Sequence, residues 1–205
     1  MRRIPSGRAA GTAFLASVMV LGACAAGGAG ASTVAVAAGP QKTVTGSVIR
    51  RPSHTLAPGS TVSAKTIFGH RVFTSATNGV ALVDTGQAQY PAASTNGGKT
   101  WKTNGPALHL NAAQAPLAVV DIGASNRNVI YAWGTGQVID TTSNGGKQWY
   151  RSVFQGLPVA VVTDPQGHLV AFIDGSGTGS HGASYQYVSK NGGRTWRYDT
   201  TVGGS

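Results

Sequence analysis

Hydrolysis of a glycosidic bond needs two carboxylates, one on each side of the bond. This chain offers six candidates, Asp84, Asp121, Asp140, Asp164, Asp174 and Asp199, and contains no glutamate. Asp164-Pro165 and Asp174-Gly175 read as turns, and Asp199 lies in the C-terminal tail, which leaves Asp121 and Asp140 as the nearest approach to a pair. Aspartates at strand ends more often cap or pair locally, so the expectation is a protein without catalysis. His54, His70, His109, His168 and His181 lie far apart with no metal-ligand spacing, so no metal or cofactor is expected. Arg50-Arg51 could hold an anionic group, although paired arginines at a strand end more often form a solvated edge. Tyr131 and Trp133 could stack on a sugar or peptide. Val129, Tyr131 and Trp133 also alternate onto one face of a strand, which is the pattern of a buried core.

The elements that would position these groups are organised by an octet written three times. Ser94-Thr95-Asn96-Gly97-Gly98-Lys99-Thr100-Trp101 is followed by Thr142-Ser143-Asn144-Gly145-Gly146-Lys147-Gln148-Trp149 and Ser189-Lys190-Asn191-Gly192-Gly193-Arg194-Thr195-Trp196. The start positions are 48 and 47 residues apart. A fixed period of this length with strand-like sequence between copies marks a propeller-type repeat. In each copy the Ser or Thr hydroxyl and the Asn side chain can close a tight turn. The glycine pair supplies positive φ, and Trp returns a large apolar anchor whose N–H needs a partner.

The octets resemble the Asp-box, or BNR repeat, of the β-propellers found in sialidases, xyloglucanase-type glycosidases, sortilin-like receptors and a photosystem assembly factor. That resemblance implies an all-β, β-propeller-like fold with about three four-stranded blades. The structural positions would be Ser94, Asn96, Gly98, Trp101, Thr142, Asn144, Gly146, Trp149, Ser189, Asn191, Gly193 and Trp196. Asn stands where the family has Asp in all three copies, a change that still permits a cap. The sialidases of the family use a Tyr–Glu nucleophile pair, an Asp acid and three arginines, a set that cannot be assembled without glutamate. The family includes enzymes and non-enzymes, so the resemblance implies a fold more than an activity.

The strands expected in the second repeat are Ala118–Ile122, Asn128–Trp133, Gln137–Thr141 and Trp149–Val153. In the third they are Val159–Val162, His168–Ile173, Ser184–Val188 and Thr195–Tyr198. The first repeat is read as strands at Val62–Phe68, Arg71–Ser75 and Val80–Asp84, with a longer excursion through Tyr90-Pro91 before its octet. Thr43–Ile49 reads as one spare strand. Three blades fall short of the four to eight that close a propeller, and open sheet edges invite pairing. Self-association into a ring, completion by an envelope protein, and truncation of a longer ancestor are the competing expectations.

Residues 1–23 read as a signal peptide: Arg2, Arg3 and Arg8 precede a short apolar core, and Leu21-Gly22-Ala23-Cys24 resembles a bacterial lipobox. Cys24, the only cysteine in the chain, is then the expected lipidation site, with the membrane as partner. No cysteine remains to form a disulfide. Residues 24–40 form an uncharged Ala/Gly tether reaching roughly 20–25 Å, and residues 41–205 are the folded domain, placed outside the cytoplasm. The whole chain carries a formal +10. Its basic residues are scattered, which argues against nucleic acid and for a general attraction to anionic lipid or wall polymer.

Overall fold

The computed structural model describes residues 40–111, 118–175 and 184–203. The signal-peptide, tether and Cys24 expectations, and His181, lie outside the described residues.

An N-terminal segment supplies three short strands, β1 (Thr43–Thr45), β2 (Ser47–Val48) and β3 (Thr61–Val62), and ends in a single 3-10 turn at Ala64–Thr66. The first repeat follows as β4 (Ile67–Phe73), β5 (Gly79–Asp84), β6 (Ala88–Ser94), β7 (Trp101–Thr103) and β8 (His109–Leu110). The second contributes β9 (Val119–Ala124), β10 (Ile130–Gly134), β11 (Val138–Thr142) and β12 (Tyr150–Val153). The third contributes β13 (Leu157–Thr163), β14 (Leu169–Asp174), β15 (Ser184–Ser189) and β16 (Thr195–Val202). The protein is all-β and forms three antiparallel sheets, none of them closed into a barrel. Sheet 1 runs β3-β7-β6-β5-β4, sheet 2 runs β2-β12-β11-β10-β9 and sheet 3 runs β1-β16-β15-β14-β13, with β8 extending the edge of β6 in sheet 1.

The second and third repeats follow their alternating apolar patterns to within a few residues, but the N-terminal half departs from expectation. Thr43–Ile49 is not one spare strand. It breaks at Gly46, whose N–H donates to Arg194 O (2.9 Å), so that β1 pairs with β16 and β2 with β12. A Cβ at Gly46 would crowd Tyr150 and Ser152 at 3.1 Å, which is why the segment can cross between sheets at this point. β3 then pairs with β7. One strap therefore covers the outer edges of all three sheets in reverse chain order. In the first repeat, Val62 belongs to this strap, and the two strands expected at Val62–Phe68 and Arg71–Ser75 are one bulged strand, β4, with its register shift between Phe68 and Arg71. The Tyr90-Pro91 excursion is itself a strand, β6, the one that leads into the first octet.

Each octet closes by the same bonds. Asn96 Oδ1 accepts from Ser94 Oγ (3.0 Å) and from Thr100 N (2.9 Å), while Gly98 N–H donates to Ser94 Oγ (2.9 Å). Asn144 does the same with Thr142 and Gln148, and Asn191 with Ser189 and Thr195. All these bonds to the Asn side chain end on its single carbonyl oxygen, so an amide serves the turn as a carboxylate would. Both glycines of every octet have φ between 68 and 88°, the left-handed region that a Cβ disfavours.

The turns also join the sheets. Trp149 Nε1 donates to Asn104 O (2.8 Å), just past β7, and Trp196 Nε1 donates to Ser152 Oγ (3.2 Å) on β12. In both cases the acceptor lies three residues after the tryptophan of the preceding octet. Trp101 has no preceding sheet and bonds its own Gly98 O at 3.0 Å. The glycines follow the same rule: a Cβ on Gly146 would run into Asn104, and one on Gly193 into Thr141, both on the preceding sheet. A Cβ on Gly98 would meet the half-exposed Phe73 ring at 3.2 Å and its own octet's Trp101 at 3.5 Å, and nothing on another sheet.

The apolar core lies between the sheets. Val80 and Leu82 of β5 pack with Val119, Ile122, Ile130 and Ala132 of sheet 2. Tyr131 and Ile139 of sheet 2, with Trp133 partly buried beside them, pack with Val161, Leu169, Ala171, Ile173 and Tyr187 of sheet 3. The opposite face of sheet 1 buries Ala81, Val83, Tyr90 and Ala92 with Val62 of β3 and Ile67 of β4. Leu56 N–H donates to Tyr90 Oη (3.0 Å) across that face.

A left-handed position costs an L-residue about 1–2 kcal/mol, and forcing a methyl into a packed contact costs about 1–3 kcal/mol more. Gly98→Ala should therefore lose about 1–2 kcal/mol and Gly193→Ala about 2–5 kcal/mol. Urea unfolding at equal m-value checks this, and equal losses at the two sites would refute the inter-sheet role of the third octet.

Candidate functional site

The ladder of sheet 2 separates the two aspartates nearest to a catalytic pair. Asp121 shares a cross-strand row with Trp133 and Ile139, while Asp140 shares one with Ala132 and Ile122. Alternate residues of a strand point to opposite faces, so the two carboxyls leave opposite sides of the sheet and cannot flank one bond. Asp140 is fully buried and takes a two-pronged ion pair from Arg151, with Nε to Oδ1 at 2.8 Å and Nη2 to Oδ2 at 2.6 Å. Arg151 Nη2 also donates to Leu108 O. Burial pushes the Asp140 carboxyl above its usual value against the pull of Arg151, and the bond to Asp140 holds the guanidinium above its own. This is a structural clamp between β11, β12 and the end of sheet 1.

Asp121 sits at the edge strand β9. Its Oδ1 accepts from Ile122 N (2.9 Å) and lies 3.2 Å from Nδ1 of the exposed His70 on β4. Trp133 packs in the core against sheet 3 and stacks on Tyr131 with ring centroids 6.0 Å apart. Arg50 and Arg51 are exposed just after β2, and β2 and β9 are opposite edges of sheet 2. The structure therefore does not gather Arg50, Arg51, Asp121 and Trp133 into one site. Asp84 and Asp164 cap turns, at Gly86 N (2.7 Å) and at His168 N (2.8 Å) and Gln166 N (2.9 Å) respectively. Asp164 is held below the usual carboxylate value because desolvation is outweighed by these bonds and by the His168 ring, 2.9 Å away. Among the described residues no group of His, Cys, Asp or Glu could hold a metal ion.

Two features were not reached by sequence reasoning. The first is a pair of adjoining depressions of about 350 and 400 Å³ between the first and second octets, where Lys102, Lys147 and Arg127 converge with Asn78, Asn104 and Asn144 and no carboxylate lines the wall. The second is the outward face of sheet 3. The first residue of each octet pairs with an equivalent position: Ser94 with Gly79, Thr142 with Ile130, and Ser189 with Leu169. Counting onward, Val80 and Leu82 correspond to Tyr131 and Trp133, and these to Val170 and Phe172. The first two pairs pack against the next sheet, whereas Val170 and Phe172 belong to none of the core clusters. Beside them Val162 is 45% exposed. A depression of about 570 Å³ opens on sheet 3, lined by Val188, Lys190, Asn191, Thr195, Arg197, Tyr198 and Asp199.

No protein-family model, no curated protein and no solved structure matches this chain.

Removing one partner of a buried ion pair leaves the other charge uncompensated and costs about 3–5 kcal/mol. Asp140→Ala should lose stability on that scale, whereas Asp121→Asn, at a partly exposed edge, should stay within about 0.5 kcal/mol. Denaturant melts of the two variants decide between a structural and a peripheral role for each aspartate.

Proposed function

We propose that this protein is an exported, lipid-anchored, non-catalytic assembly module built on three Asp-box propeller-type blades. The observation that carries this reading is the unequal treatment of the two ends of the sheet series. At the start the N-terminal segment lies against sheet 1, with Leu56 N–H on Tyr90 Oη, and at the end Val162 is 45% exposed beside Phe172, which joins none of the core clusters. A protein whose work is a reaction would concentrate its titratable groups in one cleft. Here Asp84, Asp140 and Asp164 are engaged in turns and a clamp, and Asp121 and Asp140 lie on opposite faces. The lipid anchor at Cys24 and the location outside the cytoplasm rest on the N-terminal sequence pattern.

A photoreactive side chain placed at position 162 of the full chain in cells should give a discrete protein adduct, and one at position 56 should give none. The purified chain should leave aryl glycosides intact. Hydrolysis abolished by Asp121→Asn, together with no adduct at position 162, would overturn the reading in favour of a glycosidase.

A further inference from the structure

We propose that the junction between sheet 1 and the second octet is a binding site for phosphate groups, held by Lys102, Lys147 and Arg127. The site goes beyond the assembly reading and does not depend on it.

The two junctions at which an octet meets the preceding sheet share one geometry and differ in charge. The rows that face the following sheet run Val80-Ala93-Lys102 on sheet 1 and Tyr131-Thr141-Tyr150 on sheet 2. Lys102 and Tyr150 therefore hold the same structural position. At the second junction the basic residue of the incoming octet is Arg194, whose guanidinium carbon lies 5.3 Å from the Tyr150 ring centroid. That cation has a π face as its partner. At the first junction the incoming residue is Lys147, and a second cation, Lys102, stands in place of the ring. Both line the depression of about 400 Å³. Arg127 is the third charge. It occupies a turn position that carries Ala76 in the first repeat and Gln166 in the third. It lines the adjoining depression of about 350 Å³, which shares Lys147 and Asn104 with its neighbour.

Lys102, Lys147 and Arg127 have no acidic partner among the described residues, and no carboxylate lines either depression. A concave surface lined by one sign of charge concentrates the opposite ion. Scattered surface lysines would do so only weakly, but here neutral donors stand between the cations. In the first octet Asn96 Nδ2 donates to Thr100 Oγ1 (2.9 Å). Gln148 replaces that threonine in the second octet. Asn144 Oδ1 is still fixed by Thr142 and Gln148 N–H, while its Nδ2 donates to no atom of the described residues. Asn104 has its backbone N–H on Pro91 O and its carbonyl under Trp149 Nε1, which leaves its side-chain amide uncommitted beside Lys147. A phosphate group brings three strong acceptor oxygens and up to two negative charges. That matches three cations and two amides better than the single charge of a carboxylate. No aromatic ring lines either depression, so the anion itself is what the site can recognise, and not a base or a sugar ring.

Titration of the purified full chain with inorganic phosphate at constant ionic strength tests this, with the side-chain amide resonances of Asn104 and Asn144 as reporters. These signals should shift saturably with a midpoint in the low millimolar range, about 1–5 mM. Lys102→Tyr, which installs the ring used at the second junction, should weaken binding about tenfold or more, and Lys102→Arg should preserve it. Arg194→Gln removes an equal charge from the second junction and should change the midpoint less than about twofold. Competition then separates the sources of the phosphate. Displacement by a short-chain phosphatidylglycerol below its micelle concentration assigns a lipid headgroup, displacement by polyphosphate alone assigns a soluble or wall-borne polyanion, and both outcomes support the site. Shifts that do not saturate, or that Lys102→Tyr and Arg194→Gln reduce equally, overturn it in favour of diffuse attraction to the whole basic chain.

Discussion

The contact on which the structure depends is the close approach of each Asn-Gly-Gly turn to the sheet before it. The turn is rigid because one Asn oxygen accepts two bonds and one hydroxyl accepts a third. It fits because its glycines lack the Cβ that would strike Asn104 or Thr141. The tryptophan that follows then reaches back with its N–H, so that turn geometry and sheet stacking are set by the same eight residues. Stability in such a series comes largely from neighbour-to-neighbour interfaces, as in other repeat arrays. The first octet shows the limit of the rule: without a sheet before it, Trp101 satisfies itself on Gly98 and the Phe73 ring lies over the glycine.

This explains which parts of the fold were legible in the sequence. The octets and the strands of the second and third repeats carry alternating patterns and punctuation that act locally, and they fall within a few residues of where those patterns place them. The strap was not legible, because nothing in Thr43–Ile49 distinguishes one spare strand from two short ones assigned to different sheets. The break at Gly46 is a consequence of crowding by Tyr150 and Ser152, a hundred residues away. In the first repeat β4 carries a bulge, and both faces of β5 and β6 are buried, which erases the alternation that marks a half-exposed strand. Pro91 on β6 also reads as a breaker, yet it lies within a paired strand.

The site was less legible than the fold, for a related reason. Asp121 and Asp140 look like a pair in one dimension, but only the ladder register shows that they leave opposite faces. Arg151 was passed over as a scattered cation although it stands directly across from Asp140 and satisfies a fully buried carboxylate. Arg50 and Arg51 attracted notice because they are adjacent, and adjacency in a strap places them at an outer edge, away from β9. The outward face of sheet 3 has no sequence signature at all. Val170 and Phe172 look like any core strand, and only the packing shows that they stand outside the clusters that hold Tyr131 and Trp133.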